Sequence, residues 1–311
     1  MEIVGVRITL RDFPVEELLW GLGLATLALV VAAFLTRGRA GPWGEPDDRE
    51  RYRVAVPGLL VTAAALGAVG RTWPVTASTV VGLAGVTVPA VWLTRRPRGG
   101  TAWLAGLGVM VPPAYLLAAD ASSTAWVRGL LVAGLVAGVP AASRTDVGYG
   151  PVGLTPVLYA VSAAGVFAAV PDTEQAAALL GASVPLAVRG WPLGRGRLGP
   201  PGAGAAAALL LWVAAVGGRG REPSIVGAVG CLGLLLTLPA GQWLAGRAGR
   251  LRAAGRSRRH VLPLVLVHLV AVAVASRVAG VSSDLRFASV VTAAILLVAL
   301  AASVLLAARS P

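Results

Sequence analysis

Three ionisable side chains lie inside long apolar segments of the sequence, and they are the first candidates for chemistry. His268 stands near the middle of one such segment, Arg277 lies towards its end, and Arg128 lies about one turn inside another. A neutral imidazole with a pKa of about 6.5 can relay protons or bind a polar headgroup. A guanidinium can bind phosphate or carboxylate through two hydrogen bonds. Each residue also has a structural interpretation: His268 can donate to a neighbouring carbonyl, and the arginines can pair with acids in adjoining turns.

A second candidate is the pair Pro112-Pro113, which falls near the middle of another apolar segment. Two adjacent prolines remove two backbone donors, so this pattern predicts a break in the helix. Broken helices at membrane depth occur where they line a cavity or are buried in protein, and transporters bind substrate at such breaks. Tyr115 would stand beside the break. The alternative is a kink that serves helix packing.

Glu16 and Glu17 form an acidic pair at the start of the first apolar segment. The stretch Phe13-Pro-Val-Glu-Glu-Leu-Leu-Trp20 resembles the Glu-Glu motif of CAAX-type intramembrane proteases, and its Pro-Val-Glu-Glu part resembles a motif of membrane lycopene cyclases. The resemblance implies a lipid-modifying enzyme that uses these acids. The protease motif continues with Arg, where this chain has Gly21. It later requires helical motifs that pair His with Asn or with a second His, whereas this chain has no Asn and His260 and His268 do not fit such a motif. The structural alternative is a helix start favoured by the helix dipole.

Other patterns of catalysis are missing from the sequence. There is no Lys for a phosphate-binding loop, no His-Glu-x-x-His and no Gly-x-Ser-x-Gly. The only cysteine is Cys231, which excludes disulfides and cysteine-based metal sites, and there are only two histidines. We therefore expect no cofactor and no metal, and the sequence favours a protein that is not an enzyme.

The composition is that of a membrane protein. The chain of 311 residues is 56% hydrophobic and 13% charged, whereas soluble domains are about 45–50% apolar and about 25% charged. The net charge is +13 and every basic residue is Arg. The absence of both Lys and Asn, whose codons begin with AA, indicates a GC-rich genome such as that of an actinobacterium. The arginines lie between apolar segments, so we expect lipid headgroups rather than nucleic acid as their partners.

A helix needs about 20 apolar residues to cross the hydrocarbon core. By this measure the chain is a single integral membrane domain over 1–311, an all-α bundle of about eleven spans in the plasma membrane. A bundle of ten spans is the alternative. The predicted spans are 18–36, 54–71, 74–94, 101–119, 125–143, 149–170, 174–189, 201–217, 224–245, 261–280 and 286–308.

The arginines predict how this bundle is oriented. The loops after the odd-numbered spans, together with the C-terminal tail, hold 19 of the 27 arginines. Because arginine-rich short loops stay in the cytoplasm, we expect the N-terminus outside and the C-terminus inside. The arginine-rich loop 246–260 would contact anionic headgroups.

The helices also follow an internal pattern, which predicts one helix followed by five helical hairpins. Four helices that run towards the cytoplasm carry a proline near their end, and four outer turns carry an acid. The prolines are Pro89, Pro140, Pro185 and Pro239, and the acids are Asp120, Asp172, Glu174, Glu222 and Asp284. Repeated hairpins occur in transporters. The alternative is convergence, since segments built from a few small apolar residue types resemble one another by chance.

Three functions follow from these observations. The first is a transporter or flippase of a small or lipid-linked molecule, with His268, Pro112, Pro113, Tyr115, Arg128 and Arg277 along its substrate pathway. The second is a non-catalytic membrane subunit of an envelope or secretion assembly, either as a homo-oligomer or with membrane partners. The third is a lipid-modifying membrane enzyme that uses Glu16 and Glu17. The hairpin pattern and the proline pair favour transport.

Overall fold

The computed structural model describes residues 13–36, 46–94, 100–119, 124–145, 154–170, 173–190, 198–231, 233 and 284–309. Within these ranges the chain is built from helices and turns, without strands. The helices are α1 (Val15–Thr36), α2 (Pro46–Val69), α3 (Ala77–Thr94), α4 (Thr101–Ala119), α5 (Ala125–Ala133, Gly134–Gly138 and Val139–Thr145), α6 (Leu154–Ala169), α7 (Glu174–Gly190), α8 (Gly199–Gly217), α9 (222–231) and α10 (Leu285–Arg309).

Six helices in the described part of the chain are long and apolar enough to cross a membrane. They are α1, α3, α4, the stretch Ala125–Ser143 of α5, α8 and the stretch Leu285–Ala302 of α10. Two shorter apolar stretches, Ala55–Val69 and Thr155–Ala169, lie in α2 and α6. The prediction of a helical chain with several helices able to cross a membrane is therefore confirmed, while the count of eleven spans and their orientation stay predictions. The predicted span 261–280 lies outside the described residues, and so does most of 224–245.

The turns after α2 and α8 and the turn before α5 lie at the same end of the bundle. At one end, Glu16 at the start of α1 contacts Arg71 just after α2. At the other end, Ser143 near the end of α5 packs against Gly204 near the start of α8. We call these the Arg71 end and the Ser143 end.

Glycine pairs allow two helix crossings in which the backbones nearly touch. At the crossing of α1 and α7, a Cβ on Gly21 would overlap the carbonyl of Ala178, and one on Gly181 would overlap the carbonyl of Leu18. At the crossing of α2 and α8, a Cβ on Gly58 would overlap the carbonyl of Leu198. Because apolar burial drives helices together only weakly inside a lipid bilayer, such close packing is a main source of helix association.

Helix α8 is the central element of the bundle. It contacts α2, α3, α4, α5, α6 and α7. In the 18-residue apolar stretch of this helix, 83% of the residues are buried. Its side chains are those of Gly, Pro, Ala, Leu, Val and one Trp, so no charged or hydroxyl group interrupts its surface. Helix α8 itself therefore contributes only apolar side chains to the centre of the described bundle.

The first turn of α8 can be buried because of its two prolines. Gly199 has a φ of 68°, which favours glycine, and Pro200 and Pro201 follow it. The first N–H groups of a helix have no carbonyl partner within the helix, and proline has no N–H to leave unpaired. Leu198 and Gly199 are accordingly buried at the Ser143 end without a row of unpaired donors beside them.

Candidate functional site

The Arg71 end holds the clearest polar cluster among the described residues. The Arg71 Nη2 atom lies 3.1 Å from Glu16 Oε1, and the Arg71 guanidinium carbon lies 4.0 Å from the centre of the Trp20 ring. The Arg71 side chain is 43% exposed and that of Glu16 is 70% exposed. One arginine therefore connects the start of α1 to the end of α2 through an ion pair and a cation–π contact.

Two further contacts extend the cluster to neighbouring helices. The guanidinium carbon of Arg219, after α8, lies 5.1 Å from the centre of the Trp73 ring. The Thr124 hydroxyl, just before α5, donates to the Glu222 carboxylate at the start of α9. These residues join the turns at one end of the bundle. Their contacts with one another indicate a structural role at this end of the bundle.

The two residues of the predicted acidic pair point in different directions from helix α1. Consecutive residues of an α-helix point about 100° apart. Glu16 is exposed and paired with Arg71, whereas Glu17 is half-buried. In the structure Glu16 therefore forms a salt bridge with a cation rather than a carboxylate dyad with its neighbour. Both acids lie in the first turn of α1, where a negative charge favours the helix dipole.

The helix break predicted at Pro112-Pro113 is wrong. Helix α4 is continuous from Thr101 to Ala119 with both prolines inside it. Pro113 packs against Gly85 of α3, where a Cβ would approach the proline ring to 2.7 Å. The packing of α3 on α4 stabilises a helical path that loses two backbone hydrogen bonds, and each proline ring keeps φ at a helical value.

Two residues predicted to line a substrate pathway lie on the outer surface of the bundle. Pro112 is exposed and Tyr115 is 51% exposed, on the side of α4 away from α3. Arg128 is half-buried one turn inside α5, at the Arg71 end. His268 and Arg277 lie outside the described residues.

Buried polar side chains that the sequence interpretation passed over lie deeper in the bundle. The Ser162 hydroxyl of α6 donates to the Cys231 carbonyl of α9 at 3.1 Å. Within the described part of the chain, the hydroxyls of Ser143 and Tyr159 and the Gln175 Oε1 atom are buried without a hydrogen-bond partner. Single hydroxyls in an apolar run form no recognisable motif. Their burial could be found only from the packing of the helices.

Neither a cluster of possible metal ligands nor similarity to a known protein assigns a function to this chain. Among the described residues, no three His, Cys, Asp or Glu side chains come together in a way that could hold a metal ion. No protein-family model matches the chain, and no curated protein matches its sequence.

Proposed function

We propose that this chain is a non-catalytic subunit of a larger assembly in the plasma membrane. In this proposal it crosses the membrane eleven times, with the N-terminus outside and the C-terminus in the cytoplasm. The observation that carries the proposal is the surface of α8. The central helix of the bundle offers only apolar side chains and close backbone contacts.

A solute pathway through a membrane protein normally needs polar groups at depth, because a polar molecule must exchange its water shell for protein contacts. Around α8 the facing surfaces are filled by tight contacts. The crossing of Gly58 with Gly202 closes one side, and Ser143 lies against Gly204 on another. This interior favours a rigid structural element that presents fixed outer surfaces to other membrane helices.

The test is native mass spectrometry of the protein extracted from its own membrane in mild detergent. A subunit of a larger assembly is expected to appear with other protein chains at a fixed stoichiometry. Removing the gene of such a chain should then shorten the lifetime of this protein. A protein that appears only by itself, and that remains stable when every co-purifying chain is removed, would contradict the proposal.

Transport of a lipid-linked molecule is the second candidate, supported by the unpaired buried hydroxyls of Ser143 and Tyr159. Helix α5 also contains a π-helical segment, Gly134–Gly138, beside Leu211 of α8, and such segments occur frequently at functional sites. The test uses proteoliposomes that contain a fluorescent phospholipid. Transport predicts faster movement of the lipid between leaflets, and slower movement for Tyr159→Phe. An equal rate in protein-free liposomes would exclude this activity for that lipid.

A further inference from the structure

One face of α4 is open along the full length of the helix. The residues Gly108, Pro112, Tyr115 and Ala119 follow one another at intervals of four, three and four, so they form a single stripe. All four are exposed. A Cβ built on Gly108 would meet nothing within 4 Å. The stripe therefore forms a shallow groove whose floor is the backbone at Gly108, near the middle of a helix of 19 residues.

The groove contains one backbone acceptor that lacks its usual partner, the Gly108 carbonyl, and a second such carbonyl, that of Val109, lies beside it. The carbonyls of Gly108 and Val109 would normally accept hydrogen bonds from residues 112 and 113, but both of these are prolines without an N–H group. Gly108 is exposed and has no side chain to cover its carbonyl, and Val109 is 63% exposed. Hydrocarbon chains of lipids offer no donor. An unpaired carbonyl at this depth is therefore unfavourable unless another protein group reaches it.

The same stripe carries a donor. The Tyr115 side chain is 51% exposed, and its phenolic hydroxyl can donate a hydrogen bond. Side chains on a helix lean towards its N-terminus, so the Tyr115 ring extends along the stripe in the direction of Gly108. A face that holds both an acceptor and a donor at a fixed spacing is complementary to itself. Such a face suits a two-fold symmetric interface, in which each copy supplies what the other lacks.

We infer that two copies of this chain pair through α4, with the Tyr115 hydroxyl of each copy donating to a carbonyl in the Gly108 groove of the other. Glycine at the crossing point lets the two helices approach closely, as in other membrane helix pairs. This inference goes beyond the proposed function and does not depend on it, since the two copies would pair whether or not further subunits join them.

Cysteine crosslinking in native membranes tests the pairing. The background is Cys231→Ala, because Cys231 is the only cysteine and is buried. With Ala105→Cys on the exposed side of α4, a short bismaleimide is expected to link two copies. Val81→Cys on α3 and Leu297→Cys on α10 are the matched controls, since those side chains are 61% and 68% exposed. Neither control is expected to link.

Two substitutions test separately how the groove and the hydrogen bonds contribute to pairing. Gly108→Ile fills the groove and should abolish the crosslink of the Ala105→Cys chain, whereas Gly23→Ile on α1, where a Cβ also meets open space, should leave it intact. Tyr115→Phe should weaken pairing roughly tenfold, because a hydrogen bond between membrane helices is worth about threefold and the interface has two. Pairing strength is measured by energy transfer between labelled copies diluted in liposomes.

Three results would overturn the inference. The first is an Ala105→Cys chain that stays monomeric or links only to a different protein. The second is a crosslink that persists in Gly108→Ile. The third is a Tyr115→Phe chain that pairs as strongly as the parent, which would remove the proposed hydrogen bonds. A link to a different protein would overturn the pairing and remain compatible with the proposed function, which is judged separately by mass spectrometry.

Discussion

Helices α4 and α8 make an informative comparison because they share a length and a motif. Each has 19 residues and each contains two adjacent prolines. The fraction of buried residues in the 18-residue apolar stretch of each helix nevertheless differs, at 28% for α4 and 83% for α8. In α8 the prolines lie in the first turn, and in α4 they lie near the middle.

The same dipeptide has opposite consequences at these two positions. In the first turn of a helix the N–H groups have no partner, so proline removes donors that burial would penalise. Near the middle of a helix proline instead leaves carbonyls without their donors. Proline therefore helps α8 to begin inside protein. In α4 it leaves the carbonyls of Gly108 and Val109 without their usual helical donors.

The largest effect is expected from a substitution that disrupts the packing around α8. Gly58→Ala places a methyl group against the backbone of α8, where a Cβ overlaps the Leu198 carbonyl. We expect the free energy of unfolding to fall by about 3 kcal/mol or more, because overpacking usually costs about 1–3 kcal/mol even against side chains that can move. The measurement is an unfolding titration with SDS in mixed micelles.

The matched control lies on the same helix. Gly67 of α2 is exposed and a Cβ there meets nothing within 4 Å, so Gly67→Ala should raise stability by about 0.5–1 kcal/mol through helix propensity. Equal losses for Gly58→Ala and Gly67→Ala would show that the crossing of α2 and α8 is not as close as described.

The next largest effect is a change in stability that has opposite signs for substitutions in the two proline pairs. Pro112→Ala returns a donor to the Gly108 carbonyl and should stabilise the monomer by about 1–3 kcal/mol, while it weakens pairing through α4. Pro201→Ala adds an N–H to the packed start of α8 and should destabilise the fold by about 1 kcal/mol. The same SDS titration, with copies diluted until they are monomeric, measures both. Changes of the same sign would contradict the comparison.

The smallest effect is expected at the Arg71 end. Glu16→Gln removes the ion pair with Arg71, both partners of which are substantially exposed. Exposed pairs contribute about 0–1 kcal/mol and less in high salt, so we expect stability to change by less than about 1 kcal/mol and the difference to shrink at high ionic strength. A large loss, or the disappearance of a lipid product in membranes that carry Glu16→Gln, would instead favour the enzyme interpretation.

The positions of the helices could be predicted from the sequence because they depend on local composition. Long apolar runs bounded by arginines, glycines and acids mark α1, α3, α4, α5 and α8, and the structure has helices there. The largest difference at a boundary is in α2, which begins at Pro46, before the predicted start at 54, since residues such as Glu50 and Arg51 are good helix formers although they are charged. Apolar runs report where a helix can enter lipid, and helix propensity decides how far it continues.

The candidate site was less predictable because it depends on which helices meet. The contact between Glu16 and Arg71 joins positions 55 residues apart, and nothing in either segment specifies the partner. The proline pair of α4 stands out in the sequence, but the helix break predicted there is wrong. Whether a helix breaks at proline depends on whether a neighbour such as Gly85 supports the helical path.

The sequence by itself determined that this protein is helical and apolar, where most of its described helices begin and end, and which turns carry its charges. These properties follow from backbone hydrogen bonding within a helix and from the transfer of side chains into lipid, and both are local. Only the tertiary structure decided that α8 is central and that the Gly108 stripe of α4 faces outwards. Both helices are apolar along their whole length, so hydrophobicity cannot distinguish their faces, and the choice is made by the close fit of glycine and alanine against particular neighbours.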